Sequence, residues 1–265
     1  MTDPSTPAVR FRGVTQRFLT PAGDRYTAVE AIDFEIPPGM FVSLVGPSGC
    51  GKSTILHIAA GLTPPAEGRV EIGGAPLEGI NRRAGYMFQQ DALLPWKTVL
   101  DNIVLGLRLR GASSAELSAR GREWIRRVGL DGFGGHFPHQ LSGGMRKRAA
   151  MAQQWIVSPD ILLMDEPFSA LDVHTRQRME TELLDLWSAE RKTILFVTHD
   201  LEEAIAISDR VVLMSAGPAS RVFASYEIPL ERPRGLVDIR TDARFIEIYR
   251  RIWSDLRVEV LNARS

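Results

Sequence analysis

The chain has 265 residues, with 32 Lys and Arg against 32 Asp and Glu; that is length for one large domain, or a core with a subdomain, and no net field to draw nucleic acid or anionic lipid. Its one cysteine, Cys50, excludes an intramolecular disulfide, matches no zinc-ligand spacing and suits a reducing cytosolic setting. The first nine residues carry two prolines and no apolar h-region, and no stretch nears the roughly 18 apolar residues of a membrane span, so a membrane role has to come through a partner.

In chain order, residues 9–13 and 31–36 read as short strands joined by a polar connection, with Pro37-Pro38-Gly39 as a turn. Residues 40–45 form an apolar, β-rich run ending at Gly46, and a helix is predicted over 54–60, right after the glycines. Residues 68–73 give another strand. From 99 to about 128 the pattern turns helical, rich in Ala, Glu, Arg and Leu over 115–127, and reads as a helical insertion. Residues 161–164 and 193–197 are continuous apolar runs, as expected of parallel strands buried on both faces, with a helix of mixed face over 173–190 between them. Over 241–256, Phe245, Ile248, Tyr249, Ile252, Trp253 and Leu256 recur at helical spacing and make one apolar stripe. No internal repeat or low-complexity segment interrupts this order.

Gly46-Pro47-Ser48-Gly49-Cys50-Gly51-Lys52-Ser53-Thr54 fits G-x-x-x-x-G-K-[ST] between a strand and a helix, the context that gives the motif its meaning. The glycines let successive N–H groups point inward at phosphate oxygens, and the helix N-terminus adds partial positive charge. Lys52 supplies a mobile cation for the β- and γ-phosphates. Ser53 offers a hydroxyl to Mg²⁺, a hard ion that takes oxygen ligands. Cys50 reads either as a thiol activated by the helix N-terminus or as a small side chain packed behind the loop.

Residues 161–166 form an apolar strand ending in Asp165 and Glu166, at the strand edge where open α/β sheets bind ligands. Adjacent acids can divide the work, Asp165 holding Mg²⁺ and Glu166 polarising an attacking water as general base. His139-Gln140-Leu141-Ser142-Gly143-Gly144-Met145 opens a second helix with Ser142 as its N-cap.

At Leu141-Ser142-Gly143-Gly144-Met145 the chain resembles the ABC ATPase family, whose signature is LSGGQ or LSGGM. The resemblance runs almost end to end: Phe88-Gln89-Gln90 as Q-loop, 162–167 as Walker B, Ser169-Ala170-Leu171-Asp172 as D-loop and Thr198-His199-Asp200 as switch histidine. It implies an α/β fold, a P-loop NTPase core with an N-terminal antiparallel β subdomain and an inserted α-helical subdomain. The expected division is an ABC ATPase domain over 8–225, its helical subdomain at about 90–157, and a C-terminal extension over 226–265. It further implies a head-to-tail dimer holding ATP between the P-loop of one copy and Ser142, Gly143 and Gly144 of the other. His199 would contact the γ-phosphate and support Glu166. Gln89 would couple Mg²⁺ and the attacking water to the helical subdomain, and an aromatic residue, Phe18 with Tyr26 as competitor, would stack on adenine.

Leu93-Leu94-Pro95-Trp96, Asp101-Asn102-Ile103 and residues 165–172 look like the nitrate/sulfonate/taurine group of importers. In that group the region after the Q-loop receives a coupling helix from the membrane subunit, so Trp96 reads as an interface anchor or as core packing of the helical subdomain. The group usually has M-R-Q-R and A-R-A-L where this chain has Met145-Arg146-Lys147-Arg148 and Ala152-Gln153-Gln154-Trp155. The chain ends soon after Leu256, where sugar-importer ATPases carry a regulatory domain. The resemblance implies ATP hydrolysis driving uptake through two permease subunits and a solute-binding protein, at the cytoplasmic face of the inner membrane, with no nucleic-acid partner. An exporter or lipid-transporter ATPase is the alternative. A soluble repair or translation ATPase fits less well, because only residues 55–140 separate P-loop and signature, with no coiled coil between them.

Overall fold

The computed structural model describes residues 6–236 and 238–262; the readings for residues 1–5 and for the extension beyond 262 lie outside it. The chain runs β1 (Val9–Leu19), β2 (Arg25–Ile36), β3 (Phe41–Val45), α1 (Lys52–Ala59), β4 (Glu67–Ile72), β5 (Ala75–Pro76) and β6 (Ala84–Met87). It continues through α2 (Val99–Ile103), α3 (Leu105–Leu109), α4 (Ser114–Arg127), α5 (Gly143–Trp155), β7 (Ile161–Asp165), α6 (Val173–Glu190) and β8 (Thr193–Val197). It closes with α7 (Leu201–Ile207), β9 (Arg210–Met214), β10 (Val222–Glu227) and α8 (Ala243–Asn262).

Two sheets form, an antiparallel one ordered β2-β1-β4-β5 and a six-stranded one ordered β10-β9-β3-β8-β7-β6. In the second, β6 to β9 and β3 are mutually parallel, while β10 joins antiparallel at the edge. The apolar runs at 40–45, 161–164 and 193–197 are its central strands. Side chains alternate across it: Ile194 and Phe196 of β8 enter a core shared with α5, α6 and α7, whereas Leu195 and Val197 enter a second core with α1 and the antiparallel sheet. Both faces are covered, so these strands need no polar alternation.

Several boundaries differ from the sequence reading. The strands foreseen at 9–13 and 31–36 extend into one hairpin, because the polar stretch between them still pairs across β1 and β2 out to Leu19 and Arg25. The helix foreseen at 54–60 begins at Lys52, directly after Gly51 in a left-handed conformation, φ 87°. The 99–128 block is three helices, of which α2 and α4 are capped by side chains: Thr98 accepts from Asp101 N–H and Ser113 from Glu116 N–H. The helix foreseen at 241–256 spans Ala243–Asn262. Strands β5, β6, β9 and β10 and helix α7 were not foreseen, being only two to seven residues long.

Asn102 organises the helical insertion. Fully buried on α2, its Nδ2 donates to the carbonyls of Leu94, Lys97 and Thr98 while its Oδ1 accepts from Leu94 N–H. One amide thus satisfies the backbone of the loop that carries Pro95 and Trp96, which otherwise lacks secondary structure. The C-terminal segment is clasped by Arg234, which donates to the carbonyls of Ile205, Ala206 and Ser208 at the end of α7 and to those of Ile228 and Leu230. The helix-end acceptors among them, at Ile205, Ala206 and Ser208, gain a buried cation as partner.

Candidate functional site

The loop over 46–51 leaves β3 and enters α1, and its shape depends on glycine at Gly51, where a Cβ would lie 2.4 Å from Val29 Cγ1. Lys52 is buried against the loop, its Nζ donating to the carbonyls of Gly46 at 2.8 Å and Pro47 at 3.0 Å. Ser48, Gly49 and Ser53 are exposed, and Thr54 is half-buried. Cys50 is fully buried, and burial raises its thiol pKa against the opposing pull of Lys52. It is the packed side chain of the two readings, not an activated thiol.

Beside the loop, Ser53 Oγ donates to Asp165 Oδ1 at 3.0 Å, and Tyr86 from β6 donates its hydroxyl to Asp165 Oδ2 at 3.3 Å. Burial raises the Asp165 pKa, and the Ser53 and Tyr86 hydrogen bonds counter that shift. The donor set of Ser53 and Asp165 is all oxygen, which fits Mg²⁺. Gln89 is not in contact with this pair: its Nε2 faces Ser169 Oγ at 3.5 Å, and Ser169 Oγ in turn donates to the Glu166 carbonyl at 3.0 Å.

Glu166 follows the last residue of β7 in a left-handed conformation, φ 42°, rare for a residue with a Cβ. Its N–H donates to the Val197 carbonyl at 3.0 Å, and its Oε2 lies 3.0 Å from His199 Nδ1. The strand end and the loop after β8 therefore aim the carboxylate together. His199 is more than half exposed and faces outward.

At the other end of the chain's site residues, Ser142 caps α5 by accepting from Met145 N–H. A cleft of about 340 Å³ opens there, lined by Ser142, Gly143, Gly144, Ala170, Leu171 and Thr175. The chain thus carries two separate helix N-termini suited to anions, one after Gly51 and one after Ser142. Phe18 and Tyr26 are directly paired across β1 and β2, each about two-fifths exposed. Neither is a core residue.

The sequence profile of the family described as ABC transporter matches residues 29–169, more than half of the chain. The chain belongs to the ABC transporter family. An uncharacterised ABC transporter ATP-binding protein of Methanocaldococcus jannaschii is 44% identical over 241 residues, covering 91% of this chain and 88% of the relative. Taurine import ATP-binding proteins of Rhizobium johnstonii and Pseudomonas aeruginosa are 44% and 43% identical, covering 81% and 79% of this chain and 82% and 80% of their own lengths. A bacterial ABC transporter cassette solved as a dimer superposes with a TM-score of 0.74 at 31% identity, over 84% of this chain and 100% of the cassette. A second structure of that cassette, in a post-hydrolysis state bound to ADP and Pi, gives the same TM-score at 33% identity. This ABC protein is an ATP-binding subunit of the nitrate/sulfonate/taurine group and an ATPase with the expected α/β P-loop NTPase fold.

Within the ABC subunit, two participants escaped the sequence reading. Tyr86 and Asp91 reach Asp165 and Lys147 from distant parts of the chain, while Ser169 of the D-loop bonds to the Glu166 carbonyl three residues before it. Asp91 carried one signal, an acid placed two residues after Gln89. No helix among the described residues is long and apolar enough to cross a membrane.

Proposed function

We propose that this chain energises import of a small nitrate-, sulfonate- or taurine-like solute, working as a homodimer on two permease subunits fed by a solute-binding protein, at the cytoplasmic face of the inner membrane. The observation that carries the hydrolytic half is the meeting of Glu166 and His199 beside a P-loop whose Ser53 reaches Asp165. The ABC ATPase unit is taken as 8–225, with a helical subdomain at about 90–157 and an extension over 226–265.

The N–H groups of Gly49, Cys50, Gly51, Lys52, Ser53 and Thr54, with the Lys52 ammonium, bind the phosphates of ATP, and Phe18 offers adenine a stacking face. Ser53 and Asp165 hold Mg²⁺, which when bound neutralises charge on the phosphate oxygens. Glu166 accepts a proton from water; because its Oε2 faces His199 Nδ1, Oε1 is the oxygen left to do so. With Glu166 ionised, Nδ1 of His199 must be the protonated nitrogen, so the imidazole orients the base. Gln89, next to Ser169 and the Glu166 backbone, reports the state of this corner to the helical insertion. Ser142, Gly143 and Gly144 face the γ-phosphate bound by the partner copy, which explains why one chain has two anion-ready helix ends.

Import is supported by the taurine import relatives and by Trp96, which is 70% exposed rather than packed in the core and so is available to a permease. The test is reconstitution of the full chain with its permease in vesicles. Inward uptake that needs ATP and the solute-loaded binding protein is the expected result. ATP-driven outward movement without a binding protein would refute import.

A further inference from the structure

Lys147, on the second turn of α5, is buried, with its side chain only 4% exposed. Its Nζ donates to the main-chain carbonyl of Gln89 at 2.7 Å and lies 2.9 Å from Asp91 Oδ1 as an ion pair without hydrogen-bond alignment. The second Asp91 oxygen accepts from Arg146 Nε at 3.0 Å, and Arg146 Nη1 donates to the Leu141 carbonyl at 2.7 Å. The contacts form an unbroken ionic path from Gln89 through Lys147, Asp91 and Arg146 to Leu141, the residue before Ser142.

Burying an ammonium costs several kcal/mol unless it is paired, and even a well-paired buried ion pair rarely adds much net stability over apolar packing. What such a pair supplies is a fixed register between the elements it joins, here the Q-loop and the first turns of α5. Those two elements belong to different nucleotide half-sites. Gln89 adjoins the backbone of Glu166 through Ser169, beside the chain's own P-loop, whereas Ser142 opens the cleft that would meet the partner's ATP. Further along the same helix, Gln153 Nε2 donates to the Asn102 carbonyl at 3.1 Å, so α5 also holds the residue that organises the Trp96 loop. Lys147 and Gln153 are both among the positions at which the chain departs from the residues usual in its group.

We propose that Lys147 is a positioning residue that locks the Q-loop to the signature helix, so that nucleotide bound at the chain's own P-loop presets Ser142 and Gly144 for the partner's nucleotide. The proposal rests on the head-to-tail dimer reading above. It also separates two quantities that a general folding defect would move together, nucleotide affinity of the single chain and nucleotide-driven dimerisation.

The experiment uses the full chain with Glu166→Gln, and the same chain with Lys147→Met added. Fluorescent-nucleotide titration of dilute protein gives affinity, and sedimentation at rising ATP gives the dimer fraction. Lys147→Met should leave affinity within about twofold and raise the ATP needed for half-dimerisation about tenfold, a coupling loss of ordinary size. Should Lys147→Met fail to melt cooperatively, Asp91→Asn, which keeps the side-chain shape and removes the charge joining Lys147 to Arg146, should give the same separation. Unchanged half-dimerisation, or a shift matched by an equal loss of affinity, overturns the proposal. If Glu166→Gln alone does not dimerise with ATP, the dimer reading fails and this proposal with it.

Discussion

Val197 fixes Glu166 through the backbone, and His199, two residues further on, meets its carboxylate at 3.0 Å. The end of β8 therefore holds the backbone of Glu166, at its unusual φ of 42°, and the loop after it holds the side chain. A carboxylate held at both ends loses little freedom when it takes a proton from water, which suits a general base.

Glu166→Gln should keep this geometry and remove the basic oxygen. ATP turnover is expected to fall by about 10²- to 10⁴-fold, the usual contribution of general base catalysis, with nucleotide binding retained. Phosphate release alongside a nucleotide titration checks it, and near-parental release with the permease present would exclude Glu166 as the base.

Lys52→Ala should act on binding instead. The ammonium lies within the P-loop, bonded to Gly46 and Pro47 carbonyls, and charge-assisted hydrogen bonds are worth about 1.5–3 kcal/mol, so ATP affinity should drop by roughly 10- to 150-fold. Isothermal titration would measure it. Affinity within a factor of two of the parent would show that Lys52 does not reach the phosphates.

The P-loop and signature were legible because each is a local device, a strand or cap followed by glycines and a helix, written in consecutive residues. Ser142 as N-cap and the buried runs at 161–164 and 193–197 came through for the same reason. What the sequence did not disclose is contact between segments. Tyr86 reaches Asp165 because β6 and β7 pair in parallel across a sequence separation of 79, and the four residues of β6 are too short to announce a strand. Phe18 and Tyr26, competitors in sequence, turned out to be cross-strand partners once the hairpin ran on to Leu19. Lys147 was visible only as a departure from a pattern, since its partner Asp91 lies beyond the helical insertion.

Trp96→Ala tests docking. The indole is 70% exposed on a loop whose backbone is satisfied by Asn102, so its loss should leave the melting temperature and ATP affinity of the isolated chain unchanged. A buried tryptophan anchor at an interface is worth about 2 kcal/mol or more, so affinity for the permease should fall at least roughly 30-fold. Co-purification at matched expression measures it; undiminished capture would remove Trp96 from the interface.

Glu203, on the first turn of α7, links the switch loop to pH. Its carboxyl is buried, accepts from the Thr198 hydroxyl just before His199, and leaves Oε1 without a hydrogen-bond partner among the described residues. Burial pushes its pKa up to about 8; the Thr198 bond and Arg176 oppose this, and Glu180 and Asp200 reinforce it. The folded state then holds a proton between the ordinary value of 4.5 and about 8 that the unfolded chain has already released. Stability at this site is fully present below pH 4.5 and is lost as pH rises toward 8, at up to ~1.4 kcal/mol per pH unit. Glu203→Gln keeps an oxygen for Thr198 and cannot ionise. Its melting temperature should match the parent near pH 5 and exceed it increasingly up to pH 8, where the gap levels off. A gap that stays constant across that range would mean that Glu203 is already ionised in the fold, with its charge met by Arg176.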